Sequence, residues 1–587
     1  MESGMTKDPI FIKEREMKRI LKYLTGSYLK ETILSPLFKC IEAVLELFVP
    51  LIVAEIIDKG IGGGDSGYVV KMCLLLVGLA LLGLAFSITA QYFAAKAAAG
   101  FAKQTGNALF RHIQGFSYTD LDEAGTATLI TRLTSDLNQV QTGVNMTLRL
   151  LLRSPFVVFG AVIMAFTIDV RCALIFAVLI PVLTVIVFAV MLSTMPMYTK
   201  VRTMLDKLLR RTRENLNGVR VMRAFCMEER QTEVFREEND ALTKAQERVG
   251  KISALMNPLT FAAVNIAIIL LIHQGYIGIH SYGLSQGAVV ALYNYMSQIL
   301  VELIKLAGLI ITITKAAACG ERIGAVLESG EGMSGGSADK AADGSPAVEF
   351  RNVGFKYKNA AENSLSDISF TAEKGSVIGI IGGTGSGKST LVDLIPRFYD
   401  ACEGEVFVDG VNVKERELKA LRAEIGVVPQ KAVLFKGTVR SNMLWGAPNA
   451  DDSDILAALE TAQALDVVMS KEGGLDAEVE QGGRNFSGGQ RQRLTIARAL
   501  TSKPSVLILD DSASALDLAT DAKLRAALKE LKDMTVFIVS QRTSSIMHAD
   551  KIIVLDDGRA AGIGTHEELM SGCEIYREIY NSQFKVR

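Results

Sequence analysis

Ser376–Phe398 reads SVIGIIGGTGSGKSTLVDLIPRF. Its first six residues, SVIGII, have the length and apolar character of a buried strand. GGTGSGKS, Gly382–Ser389, follows without a spacer and runs into TLVDLIPRF, whose apolar spacing predicts a helix. Strand, glycine loop and helix in this order build a phosphate cradle. Glycines let the backbone wrap so that its N–H groups point at phosphate oxygens, and the positive end of the new helix adds to the attraction. The spacing assigns the cradle to Gly382, Gly383, Thr384, Gly385, Ser386, Gly387, Lys388, Ser389 and Thr390. Lys388 is expected to reach the β- and γ-phosphates and the Ser389 hydroxyl to hold Mg²⁺. The stretch therefore predicts a domain that binds a nucleoside triphosphate.

Downstream, SVLILDD, Ser505–Asp511, is an apolar strand ending in two acids, which fits a second parallel strand carrying a metal-side carboxylate at Asp510. Between the two strands lies NFSGGQRQRLTIARAL, Asn485–Leu500, in which a Ser-Gly-Gly turn opens an amphipathic helix. Ser487 is its natural N-cap, and the turn offers backbone N–H groups and a helix dipole to an anion.

Upstream the chain changes character. It has 587 residues, 49% of them apolar, with a net charge of −1 and a positive mean hydropathy, a balance that points to a membrane component rather than a polyanion-binding surface. No partnership with nucleic acid is expected. The seven cysteines include no CxxC pair or Cys/His cluster, so no structural zinc is expected either. Six stretches can span hydrocarbon, which takes about 20 apolar residues as helix: Ile33–Ile57, Val69–Ala90, Val144–Phe166, Ala173–Leu192, Leu255–Ile272 and Gly287–Ile313. The first contains Lys39, Glu42 and Glu46, and the third Arg149 and Arg153. Basic residues crowd two long connections, Lys96–Gln141 and Ser193–Ala254, which places these in the cytosol. Both are helically patterned, with short turning helices expected at Ser117–Asp122 and around Asn215–Arg223. Met1–Lys30 lacks the pattern of a secretory signal and is expected in the cytosol. SGEGMSGGSADKAADGS, Ser329–Ser345, reads as a flexible linker. The expected organisation is an α-helical six-span transmembrane domain (1–328), a linker (329–346) and an α/β nucleotide-binding domain (347–587).

These motifs resemble the ATP-binding cassette family. FSGGQ, Phe486–Gln490, is similar to the family signature (Ser487, Gly488, Gly489, Gln490), Gln430 in VVPQ to its Q-loop glutamine, Tyr357 in GFKY to the aromatic residue that stacks on adenine, and Ser514–Asp517 to its D-loop. Six spans ahead of one cassette resemble the half-transporters of the exporter class, set in the cytoplasmic membrane. The resemblance implies ATP and Mg²⁺ as cofactors, with Ser389, Gln430 and Asp510 at the metal. It also implies a second half-transporter chain, because each ATP is held by the P-loop of one chain and the signature of the other. The two turning helices would be coupling helices.

Two positions depart from the family pattern. Asp511 stands where the family has its catalytic glutamate, and Gln541, after the strand TVFIV, where it has its switch histidine. Shortening the base by one methylene moves the carboxylate about 1 Å from the attacking water, a displacement that can cost on the order of a hundredfold. An amide still hydrogen-bonds a phosphate but does not titrate near neutral pH. With an intact P-loop and signature, this combination implies the degenerate-site half of a heterodimeric exporter of amphiphilic small molecules. A homodimer, an ATP-gated channel or regulatory subunit, and an importer are the competing readings. Glu480-Gln481-Gly482 also departs from the family's Gly-Glu-Arg order before the signature. In the membrane, Lys39, Glu42 and Glu46 share one helix face, and Glu302 and Lys305 form a similar pair. Two readings are open: acids that attract cationic cargo, or ion pairs that fix helix packing.

Overall fold

The computed structural model describes residue 22 and residues 26–584, except 331, 334, 339–343, 359 and 513. Most of the expected cytosolic N-terminal segment, and residues 331, 334 and 339–343 of the expected linker, lie outside the described residues. The chain forms two compact units. One comprises the residues up to Gln114 together with Ala127–Ser329; the other comprises Gly115–Thr126 together with the chain from Gly330 onward.

The first unit is built from long helices. Ser66–Gln114 has 49 residues, about 70 Å at 1.5 Å per residue, more than twice the ~30 Å of a hydrocarbon core. Val170–Asn217, with 48 residues, is similar. Both therefore continue far beyond a membrane, as their sequence pattern predicts. Five described helices are long and apolar enough to cross a membrane: Ser66–Gln114, Thr126–Ile168, Val170–Asn217, Glu228–Tyr282 and Gln286–Glu328. The first expected span corresponds to Leu29–Glu55, whose apolar character is interrupted by Lys39, Glu42 and Glu46. Along Ser66–Gln114, Leu74 and Leu81 face outward while Ala90, Ala94, Ala97 and Ala98 are fully buried, because small side chains let neighbouring backbones approach closely. Phe176, Leu271, Tyr295, Met296 and Ile299 fill the core. The Tyr295 hydroxyl, fully buried, donates to the Leu47 carbonyl at 2.5 Å.

The third span keeps helical dihedrals throughout but loses its regular helical hydrogen bonding at one point. It divides into Leu137–Leu150 and Arg153–Ile168 around a turn at Leu151-Leu152. Pro155 explains the break, since it has no N–H to give the carbonyl four residues earlier and its ring crowds that carbonyl. The turn of the second cytosolic excursion forms a short helix, Val219–Ala224, starting later than expected because the preceding helix continues to Asn217. Leu216, Val221 and Phe225 are largely exposed there.

In the second unit, a six-stranded sheet has the order Arg559–Gly564, Lys551–Asp556, Val377–Gly382, Thr535–Val539, Val506–Asp510, Ile425–Val428. All neighbours are parallel except the first pair. The strand Val377–Gly382 is flanked by two parallel neighbours, which explains why its sequence is apolar without alternation. An antiparallel sheet carrying Val348–Phe355, Leu365–Ala372 and Glu403–Val408 packs through Phe350, Phe370 and Ile368 against Ile378, Ile380 and Phe537. A second core, with Leu494, Ile496, Leu507, Leu509 and Ile538, fills the opposite face.

The first excursion's turn, Tyr118–Ala124, belongs to this second unit. Ser117 caps it in a reciprocal capping box with Asp120. The Tyr118 ring stacks on Phe398 at 4.5 Å, the Tyr399 hydroxyl donates to Asp122 at 2.7 Å, and Lys358 pairs with Glu123 at 2.6 Å. An aromatic pair is worth about 0.5–1.5 kcal/mol beyond its buried area. Tyr118→Ala is therefore expected to lower amide-exchange protection across Tyr118–Ala124 by roughly tenfold, with the sheet strands unchanged; hydrogen-exchange mass spectrometry on the full chain checks this. Part of the expected flexible linker is also held here. Gly336 N–H donates to the Arg416 carbonyl at 3.1 Å and Ala338 N–H to the Glu415 carbonyl at 2.9 Å. A Cβ at position 336 would collide with the Glu415 backbone, so glycine there serves close approach rather than flexibility.

Candidate functional site

Parallel register brings the sequence motifs to one edge of the sheet. Val539 lies beside Ile380 and beside Asp510, and Val428 beside Leu509. The carboxyl ends of four strands thus carry Gly382–Ser389, Ser540-Gln541, Asp510-Asp511 and Pro429-Gln430 to the same edge, where open α/β sheets place their ligands.

Gly382–Gly387 forms the loop, with Gly385 at φ +87° and Gly387 at φ +92°. Both conformations are costly for any residue with a Cβ, which ties the glycine spacing to the shape of the cradle. Gly383, Thr384 and Gly385 form an exposed lip. The helix that follows is shorter than predicted, covering only Lys388–Asp393. The chain then turns, and Arg397 takes φ +52° directly after Pro396. The Lys388 ammonium donates to the carbonyls of Gly382 (3.0 Å) and Gly383 (2.6 Å). Burial lowers its pKa, and the charges of Asp511 and Asp510 oppose that shift. The Ser386 hydroxyl is buried with no hydrogen-bond partner, an orphaned donor in the loop that a phosphate oxygen would satisfy.

Ser389 Oγ donates to Asp510 Oδ1 at 3.1 Å, and Gln430 Nε2 to Asp511 Oδ2 at 3.4 Å. Burial raises the Asp510 carboxyl; the Ser389 hydrogen bond opposes that shift and the charge of Asp511 adds to it. Hydroxyl, carboxylate and amide carbonyl form an all-oxygen donor set, the kind that suits a hard divalent cation carried in with phosphates. Among the described residues no group of three or more His, Cys, Asp and Glu is placed to hold a metal ion. Asp511 sits at φ +44°, where Asp is tolerated better than most residues, and its N–H donates to the Val539 carbonyl. Gln541 is exposed; its carbonyl accepts from Gln583 Nε2 at 2.7 Å, while Gln583 Oε1 accepts from Thr543 N and Oγ1. The C-terminal helix Glu574–Gln583 thus braces the segment that follows the strand. No sequence signal pointed to Gln583, because its partners lie forty residues away.

Tyr357 lies beside the cradle. Its hydroxyl is 3.1 Å from Thr390 Oγ1, and its ring meets Phe355 and Tyr399 edge to face. A cavity of about 630 Å³ opens next to it, lined also by Thr119, Asp122 and Cys402. The signature stands apart: among the described residues, none of Ser487, Gly488, Gly489 and Gln490 is hydrogen-bonded to the loop. Ser487 caps the helix Gly488–Leu500 through a capping box with Gln490, and Ser487 and Gly488 are exposed. Asp517 is the N-cap of Leu518–Lys529, accepting from Thr520 N at 3.1 Å. In the loop before the signature, Gly482 and Gly483 take positive φ.

In the membrane unit every acid noted above is paired. Lys39 Nζ bonds Glu42 at 2.5 Å and Ser87 Oγ at 3.0 Å. Arg153 bridges Glu46 and Glu302, each at 2.6 Å. Glu302 also accepts from Ser154 at 2.8 Å and Lys305 at 2.8 Å. The geometry favours the packing reading over acids held open for cationic cargo. Arg153 was visible in the sequence; that it joins two other helices was not, although intramembrane charges of opposite sign invite pairing.

A phosphate cradle at a parallel sheet edge, in one chain with helices that cross a membrane, defines a nucleotide-driven membrane transporter. Two family models match: ABC transporter transmembrane region over residues 32–303 and ABC transporter over residues 365–514. An uncharacterized ABC transporter ATP-binding protein of Mycobacterium tuberculosis is 36% identical over 553 residues, covering 93% of this chain and 95% of its own. A Bacillus subtilis protein provisionally named as a multidrug export ATP-binding/permease protein is 31% identical, covering 97% and 99%. The ATP-dependent lipid A-core flippase of Bordetella avium is 29% identical, covering 98% and 97%. A solved bacterial Atm1-family ABC exporter with ATP bound shares the fold, with TM-score 0.77 at 23% identity over 95% of this chain and 98% of that one. The chain belongs to the ABC transporter family, as an exporter-type half-transporter that carries its membrane and ATP-binding domains in one polypeptide. It is a multi-pass membrane protein whose ATP-hydrolysing domain lies in the cytosol.

Proposed function

We propose that this chain is the unequal half of a heterodimeric exporter of amphiphilic small molecules. It would bind ATP firmly at its own cradle, hydrolyse it poorly, and complete a competent site on a different partner chain with its signature. The observation that carries this reading is the pair Asp511 and Gln541 at the edge where the base and switch are needed. The cradle beside them keeps its glycine geometry, its lysine and its orphaned Ser386 hydroxyl. Binding parts are present while proton-handling parts are altered.

In this reading the loop N–H groups, Ser386 and Lys388 hold the phosphates, and Tyr357 offers its ring to adenine. Ser389, Asp510 and Gln430 would hold Mg²⁺, which when bound neutralises charge on the phosphate oxygens. Asp511 would orient the attacking water from a carboxylate one methylene too short, and Gln541 would hydrogen-bond the γ-phosphate without titrating. Asp517, as a helix cap, would fix the loop facing the partner rather than touch nucleotide. The exposed Leu216, Val221 and Phe225 on the second excursion support a docked second chain. Relatives named for multidrug export and lipid flipping support amphiphilic cargo.

Purification of the tagged chain from its own membranes tests the pairing. A different half-transporter, recovered in equal amount and carrying Glu and His at the two altered positions, is the expected result. Recovery of a homodimer with full ATPase activity overturns the proposal.

A further inference from the structure

Gln541 follows the strand Thr535–Val539 at the nucleotide edge, yet its position is set from the far end of the chain. Its side chain is exposed and makes no hydrogen bond among the described residues. Where its amide points therefore depends on how its backbone is held. One side chain holds that backbone on both sides of Arg542. Gln583 Nε2 donates to the Gln541 carbonyl at 2.7 Å, and Gln583 Oε1 accepts from Thr543 N and Thr543 Oγ1, each at 2.8 Å. A backbone carbonyl only accepts and a backbone N–H only donates, so these partners fix which way the Gln583 amide faces.

The clamp meets a need at Thr543. The short helix Thr543–Ile546 has Arg542 at its N-cap, with no side-chain cap, so the Thr543 N–H is an orphan donor of a first turn. Thr543 is fully buried, where an unmet N–H is costly. Gln583 in turn stands on a rooted element. It closes the helix Glu574–Gln583, in which Tyr576 is fully buried while Ile575 and Ile579 pack against the core. His566 Nδ1 lies 2.8 Å from the Tyr576 hydroxyl and secures the same helix from the side.

We propose that Gln583 is a positioning residue for the nucleotide site. By clamping the Gln541 carbonyl and Thr543, the C-terminal helix holds the Gln541 amide where the γ-phosphate would lie. It thereby sets how strongly this cradle prefers a triphosphate to a diphosphate. An uncharged amide bonds phosphate only within a narrow range of distance and angle, so losing its placement loses the contact. This deepens the proposed function and rests on its reading of Gln541. It does not rest on the identity of the partner chain, because every contact in the clamp lies within one polypeptide.

The test reads nucleotide preference at this chain's own cradle. The full chain in its purified assembly is photo-cross-linked on ice with Mg²⁺ and 8-azido-ATP labelled at the α-phosphate. Label is read on this chain's band, with AMP-PNP or ADP as competitor. Gln541→Ala should lower the preference for AMP-PNP over ADP by about tenfold, the scale of one hydrogen bond to a charged group. Gln583→Ala should lower it by about fivefold while ADP competition moves by less than about twofold, because ADP has no γ-phosphate for Gln541 to meet. Gln583→Glu keeps an acceptor for Thr543 but sets an ionised carboxylate against the Gln541 carbonyl, and should lower the preference at least as far. Added to Gln541→Ala, Gln583→Ala should change nothing further, since the two act through one contact. Equal weakening of AMP-PNP and ADP in Gln583→Ala marks a structural brace and overturns the inference, as does an effect that adds in full to that of Gln541→Ala. A preference kept in Gln583→Ala but lost in Gln541→Ala also overturns it and leaves the reading of Gln541 standing. A preference unchanged in Gln541→Ala overturns both.

Discussion

Gly488→Asp in this chain is expected to lower the ATPase activity of the assembled pair by a hundredfold or more, while Asp511→Ala in the same chain changes it by no more than about twofold, as follows if a lost electrostatic contact to the reacting phosphate costs about 10²–10³. The substitution is chosen to leave the fold intact. A Cβ at Gly488 meets nothing within 4 Å, and a carboxylate in the first turn of Gly488–Leu500 favours the helix dipole. The same carboxylate occupies the end of the helix where the partner-held γ-phosphate would dock, and repels it. Asp511, by contrast, serves the site proposed to be impaired already. Phosphate release from the reconstituted pair, with both variants bound to nucleotide to the same extent, is the measurement. The opposite ranking would move the working site to this chain's own cradle and sink the proposed division of labour.

Arg153→Met should destabilise the membrane unit by roughly 3–5 kcal/mol, the usual cost of removing one partner from a buried ion pair. Glu302, 3% exposed, would keep only Ser154 and Lys305, and Glu46 would lose the guanidinium at 2.6 Å. Adding Glu46→Gln and Glu302→Gln removes the stranded charges, so the triple variant should recover most of the loss. Thermal unfolding followed by the helical circular-dichroism band in detergent, run as a mutant cycle, separates the terms. If the single and triple variants unfold alike, the three residues are not a unit, and the packing role fails.

Local patterns made the nucleotide end legible. SVIGII followed by GGTGSGKS predicts a strand, a turn and a helix because each step is dictated within a few residues: apolar burial, positive φ at Gly385 and Gly387, and helix onset at Lys388. Ser487 as a cap with Gln490 three residues later is legible for the same reason. What the sequence left open depends on contacts between distant segments. Lys39, Glu42 and Glu46 could be placed on one face, but whether they faced cargo or each other depended on Arg153 and Glu302 from two other helices. Gln583 holding Thr543 and the Gln541 carbonyl is another long-range outcome with no local mark. The break at Leu151-Leu152 was readable in principle from Pro155; a continuous hydropathy run hid it, because hydropathy counts apolar atoms and is blind to a missing N–H.

The helix Tyr118–Ala124 has a consequence for biogenesis. It is translated before the remaining membrane helices, and its aromatic and basic partners, Phe398, Tyr399 and Lys358, are translated with the final domain. During synthesis, which proceeds from the N-terminus, the Tyr118 ring must wait in the cytosol without its cover until the final domain emerges. The finished cassette then docks on a segment that was made well before it, so that segment is held to the cassette by side-chain contacts as well as by the chain connection. Cutting the chain between Ser329 and Ala347 should therefore leave the cassette bound to the membrane fragment through that loop, and a cassette supplied as a separate chain should be captured by it.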